Sequence, residues 1–126
     1  MTSEAKDTGK RRAAFRRGLS AEAIAAMFLR VKGYRILARR FRSGRGEIDL
    51  VARRGDTVAF VEVKARSTAE AAIEAVDART RARIAAAANA WIARQPDDPA
   101  ATYRFDVVLI VPGRLPVHLV NAFEGA

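Results

Sequence analysis

The sequence predicts an α/β domain with the element order α-β-β-β-α-β-β. Three observations carry this. An apolar stripe at helical spacing opens the domain, strand-like segments separated by short turns follow it, and an alanine-rich stretch free of Gly and Pro precedes two more apolar strands. With 126 residues the chain is one domain by size, large enough for a single core and too small for two.

The elements follow in order. In "LSAEAIAAMFLRVKG", Ile24, Met27, Phe28 and Val31 fall at helical spacing, Ser20 is a candidate N-cap, and Gly33 is the stop. Residues 34–42 have strand composition and end at "SGRG". Strands are expected at about 47–53 and 57–65 around the turn "RGD". Ser67 and Glu70 form an S-x-x-E capping signal, and helix is allowed over residues 68–95. Asp77 is a second N-cap, and Ile84, Ala88, Trp91 and Ile92 place the main helix at about 78–94. "QPDDP" is a linker, and "YRFDVVLIV" and "VHLVNAF" are the last strands, joined by "PGRLP". Arg104 and Asp106 read as a structural pair, Trp91 as core, and His118 and Asn121 as hydrogen-bonding groups near the last strand.

Composition excludes several chemistries. There is no cysteine and one histidine, which removes disulfides, Cys-based zinc sites and any zinc site needing two histidines. A Ser-His-Asp triad would depend on His118, and no nucleophile-elbow motif accompanies it. No apolar run suggests a leader or a membrane span, so a soluble, cytoplasmic protein is expected. The net charge of +9 is one-sided: residues 1–45 hold 13 Lys and Arg against three Asp and Glu, whereas residues 46–126 hold 10 against 11. Such an excess is the footprint of a surface that meets phosphates or anionic lipid. Residues 1–16 are expected to be a basic, disordered tail, with residues 17–126 as the single domain.

The stretch "GEIDLVARRGDTVAFVEVKARS" places Glu47, Asp49, Glu62 and Lys64 among residues that otherwise read as buried strand. With Gly55 and Asp56 as a two-residue loop, facing residues have numbers summing to 111, so Asp49 faces Glu62 and Glu47 faces Lys64. All four then share one face, with Val51, Val58 and Phe60. The other face carries Ile48, Leu50, Ala52, Ala59, Val61 and Val63.

An ion taken from water costs several kcal/mol unless it is paired or bound to metal. One lysine cannot neutralise three carboxylates, and the residual −2 matches one divalent cation. Opposed Cβ atoms lie ~5 Å apart, so Asp49 and Glu62 can share an ion, and hard oxygen ligands without His or Cys suit Mg²⁺ or Mn²⁺. The competing reading is a solvated edge hairpin with a Glu47–Lys64 pair.

"GEIDLVA" followed by "FVEVKARS", with "RFDVV" and "HLVNAF", resembles the YraN-like family of the PD-(D/E)XK nuclease superfamily, and its core is similar to archaeal Holliday junction resolvases. The resemblance spans Gly18 to Phe123. It implies a restriction-endonuclease-like core, a mixed five-stranded sheet flanked by helices. It also implies that Asp49 is the metal-binding aspartate, Glu62 the second acidic ligand and Lys64 the motif lysine. Glu22, in the first helix, matches a glutamate that supports the metal site. From the residues alone, Glu22 points away from the apolar stripe and reads as solvated.

Three departures stand out. Ile48 replaces the motif proline, Arg40 stands where an asparagine is expected, and Thr80 stands where the second helix offers a lysine, with Arg79 and Arg83 as candidates to substitute.

These readings converge on a Mg²⁺- or Mn²⁺-dependent endonuclease acting on DNA, branched DNA included. Asp49, Glu62, Lys64 and Glu47 are the expected catalytic residues; Asp49, Glu62 and Glu22 are the expected metal ligands. Glu47 has two candidate roles, holding a second ion or holding Lys64. Arg40, Arg42, Arg45, Arg66, Arg79 and Arg83 are the expected nucleic-acid contacts. The alternative is a non-catalytic nucleic-acid-binding module on the same fold. No membrane partner is expected, and a homodimer is left open.

Overall fold

A computed structural model describes residues 20–124. The basic tail expected over residues 1–16 lies outside the described residues. Helix α1 (Ala21–Val31) leads into strands β1 (Arg35–Ser43), β2 (Gly46–Arg54) and β3 (Thr57–Ala65). A crossover of two helices, α2 (Ala69–Glu74) and α3 (Ala78–Ala93), precedes β4 (Thr102–Ile110) and β5 (Val117–Phe123). The five strands form one sheet in sequence order, antiparallel throughout except for the parallel β3–β4 pair. A parallel neighbour needs a crossover connection, and the Gly- and Pro-free stretch supplies it.

Caps set the helix boundaries. Ser20 Oγ accepts the Ala23 N–H at 3.1 Å, and Asp77 Oδ1 accepts the Thr80 N–H at 2.9 Å. The cap of α2 is Thr68, whose Oγ1 accepts the Ala71 N–H at 3.1 Å, in place of the expected Ser67.

The inward face of α1 is not the expected stripe. Ala25, Ala26 and Leu29 are fully buried, whereas Met27 and Val31 are 54% and 88% exposed. Two alanines let the helix lie close to the sheet, Ile24 packs at the margin of that contact, and Met27 and Val31 are left outside. This face continues one turn back to Glu22, three and four residues before Ala25 and Ala26.

The sheet is covered on both sides. Leu50, Ala52, Ala59 and Val61 pack with α1; Val51, Val58 and Phe60 pack with Ile84, Ala88 and Trp91 of α3. The β2–β3 hairpin has the expected register, from Arg54↔Thr57 to Leu50↔Val61, with Gly55 at φ 61 in the turn.

Ile48 departs from expectation, since it joins the α3-side cluster with Val51, three residues on, instead of joining Leu50. Ala38 and Phe41 of β1, also three apart, pack against that same cluster. Strand alternation therefore reverses in both strands at one level. There, Arg40 has the left-handed φ of 52.

Beyond this reversal α3 lies directly on β2. A Cβ on Gly46 would fall 2.5 Å from the Ala87 nitrogen and 2.6 Å from the Arg83 carbonyl oxygen, so no other residue fits without moving the helix.

Candidate metal and nucleic-acid site

The β2–β3 pairing ends at Leu50↔Val61, one step before Asp49. Past that point the Val63 N–H donates to Asp49 Oδ2 at 2.7 Å, so the carboxylate takes the place of a backbone acceptor. The opening is a cleft of about 210 Å³ lined by Glu47, Asp49, Glu62 and Lys64 from the strands and by Thr80, Arg83 and Ile84 from α3. The four charged strand residues thus share one cleft.

Their pairing differs from the cross-strand arrangement. Lys64 Nζ lies 2.9 Å from Glu62 Oε1, its neighbour two residues back on β3. Glu47 instead faces Arg42 at 3.5 Å and Arg83 at 3.6 Å, so it does not hold Lys64. Arg83 lines the cleft with Thr80, whereas Arg79, four residues earlier, does not. Arg45, Arg66 and Arg79 are exposed outside the cleft, and Arg66 donates to the Ala65 carbonyl.

Glu22 is turned inward, 19% exposed, and accepts from Arg40 Nε at 2.7 Å. The sequence carried a signal for this orientation in the spacing of Glu22, Ala25, Ala26 and Leu29, which the larger Ile24, Met27, Phe28 and Val31 masked.

Asp49 has no cationic partner within ion-pair distance among the described residues. Its pKa is pushed up to about 7, first by burial and then by the charge of Glu62, with Glu22 adding to the effect. The Val63 N–H and Lys64 act in the opposite direction without cancelling it. Glu62 is 7% exposed and compensated by Lys64.

Two hard carboxylates facing one cleft, one of them lacking a counter-charge, fit a single divalent cation of the Mg²⁺ or Mn²⁺ type. Asp49 and Glu62 are the residues that would hold it. Among the described residues no three Asp, Glu or His side chains converge closely enough to cage an ion, so Glu22 and Glu47 do not complete a preformed set.

A second polar cluster lies between β4 and β5. Asp106 is fully buried and accepts from Arg104 Nε at 2.9 Å, from the Asn121 N–H at 2.9 Å and from His118 Nε2 at 2.7 Å. Arg104 also donates to the Tyr34 hydroxyl, and Lys32 donates to His118 Nδ1. Asn121 reaches Asp106 because β5 breaks register there, with Asn121 at φ 52. These partners hold the Asp106 carboxyl below the usual range despite its burial.

Element order, mixed sheet and cleft define an α/β protein of the restriction-endonuclease-like class. The model of the uncharacterised protein family UPF0102 matches residues 21–110, and the chain belongs to that family. A UPF0102 protein of Methylorubrum extorquens is 56% identical over 124 residues, covering 98% of this chain and 97% of its own. One from Rhizobium leguminosarum is 53% identical over 92% of this chain and 95% of its own, and one from Rhodopseudomonas palustris is 56% identical over 89% and 86%. No helix among the described residues is long and apolar enough to cross a membrane.

Proposed function

We propose that the protein is a cytoplasmic, metal-dependent nuclease that hydrolyses phosphodiester bonds in DNA, branched DNA included. The observation that carries this reading is the cleft where Asp49, Glu62 and Lys64 meet beneath arginines 42 and 83. Mg²⁺ or Mn²⁺ bound there would polarise a phosphodiester oxygen and acidify a coordinated water.

Asp49 and Glu62 would hold the ion, and the Val63 N–H fixes the rotamer of Asp49 by engaging one of its oxygens. Lys64 leaves Glu62 to orient the attacking water or to donate to the oxyanion as charge builds on phosphorus. Arg83 and Arg42, held at the rim by Glu47, meet the flanking phosphates. Exposed Arg40, Arg45, Arg66 and Arg79 extend this basic surface, so DNA affinity should fall steeply with salt as condensed counterions are released.

The test is cleavage of linear, flapped and four-way-junction DNA with Mg²⁺ or Mn²⁺, comparing the wild type with Asp49→Ala. Metal-dependent cleavage lost in the variant supports the reading; cleavage equal in both sinks it. A second reading, a DNA-binding module without efficient catalysis, draws on the absence of a third converging carboxylate among the described residues. Under that reading both proteins bind DNA and neither cuts it.

A further inference from the structure

Glu22 and Arg40 form an ion pair outside the residues that line the cleft, and Arg40 lies across from Asp49, between the paired residues Arg39↔Leu50 and Phe41↔Ile48. Arg40 is an unusual strand residue. Its φ of 52 lies in the left-handed region, at the level where β1 and β2 reverse their alternation. Its side chain is 61% exposed, while the Glu22 side chain it holds is 19% exposed and faces inward from α1. This cross-strand position sets the pair beside Asp49 in the sheet, and the charge of Glu22 helps to raise the Asp49 carboxyl. A third carboxylate, on the Asp49 side of the site, is thus occupied by a cation that solvent and phosphate can reach.

We propose that Arg40 is a latch: in the free protein it keeps Glu22 out of the metal site, and a DNA phosphate that captures Arg40 frees Glu22 to join Asp49 and Glu62. This rests on the nuclease reading above and adds its regulation.

Guanidinium pairs with phosphate through parallel N–H bonds, so a backbone phosphate competes directly with the single Nε contact to Glu22. Ala25, Ala26 and Leu29 anchor helix α1 to the sheet, so the latch calls for a side-chain rotation at Glu22 with the helix held in place. The released carboxylate gives the ion a third ligand. By linkage, an ion that binds more tightly when DNA is present tightens DNA by the same factor. An ion pair this exposed is weak, so the coupling should be roughly three- to tenfold. The free protein would hold its metal loosely and complete the site on DNA.

The test is Mn²⁺ affinity by calorimetry on the full chain, in the wild type, Arg40→Gln, Glu22→Gln and the double variant. Arg40→Gln should tighten Mn²⁺ roughly three- to tenfold without DNA, and this gain should vanish in the Glu22→Gln background. A phosphorothioate duplex, which resists hydrolysis, should tighten Mn²⁺ binding to the wild type by a similar factor and leave Arg40→Gln unmoved, after correction for ion bound by the duplex alone. The latch is overturned if the gain is absent, if it is equal in the Glu22→Gln background, or if the duplex acts equally on wild type and Arg40→Gln. In those cases the Asp49–Glu62 site still stands. No Mn²⁺ binding in any of the four proteins would overturn both the latch and the nuclease reading beneath it.

Discussion

Asp106 and Asp49 are both shielded aspartates in one sheet, yet the chain treats them in opposite ways. Asp106 receives two side-chain donors and one backbone N–H, and its carboxyl stays ionised in a fully buried position. Asp49 receives one backbone N–H, faces Glu62, and holds its proton up to about 7. The difference teaches which cluster is structural. Asp106 is satisfied by the protein, and every buried polar side-chain atom among the described residues has a partner. Asp49 is incompletely compensated by the protein, which is the condition a ligand can change.

The sharpest way to break this contrast is to remove each carboxylate in turn. Asp106→Ala leaves buried His118 and part-buried Arg104 beside an empty site and should cost about 3 kcal/mol, read as a lower midpoint in urea unfolding. A loss below about 1 kcal/mol would mean the β4–β5 cluster is not what holds that end of the sheet.

Asp49→Asn should do the reverse, raising stability by about 2 kcal/mol at pH 8, a figure reduced from the full shift because Asp49 is only partly buried. The sign follows from proton counting. Unfolded Asp49 loses its proton near 3.8 and folded Asp49 near 7, so the native state binds more protons in that window. Stability from this group therefore falls as pH rises from about 4 to about 7. The advantage of Asp49→Asn should accordingly shrink toward pH 5. For Asp106 the folded value is the lower one, so its contribution is present above the unfolded value and is lost as pH falls through the folded one.

The smallest expected effect comes from metal. Mn²⁺ at ten times its Kd should stabilise the wild type by about 1.4 kcal/mol through mass action and shift the melting temperature of Asp49→Asn much less. Equal shifts in both, or none, would remove Asp49 from the metal site and leave the DNA-binding module as the better reading.

Much of the hairpin was legible because one turn fixes it. Gly55 and Asp56 set the register, and the register brings Asp49 and Glu62 to one opening. Asp77 placed the start of α3 in the same local way. What was not legible depended on backbone departures that local pattern cannot show.

Ile48 lies on the other face, at the level where β1 carries the left-handed Arg40. The end of the β2–β3 ladder left Lys64 to pair along its own strand with Glu62. Alanines, weak as a hydrophobic signal, hid the inner face of α1 and with it the direction of Glu22. His118 was expected only to hydrogen-bond, because its partner Asp106 is twelve residues away across a broken register.

The bond from Val63 to Asp49 has a spectroscopic consequence. Because that amide proton rests on a side-chain carboxylate instead of the sheet ladder, its chemical shift and exchange with deuterium report on the carboxylate's charge. In nitrogen-15 spectra the Val63 amide should move with a midpoint near pH 7 in metal-free protein. With diamagnetic Mg²⁺ bound, that midpoint should shift to lower pH, while amides in the β3–β4 ladder stay still. A single backbone resonance would then read the occupancy of the cleft before any substrate is in hand.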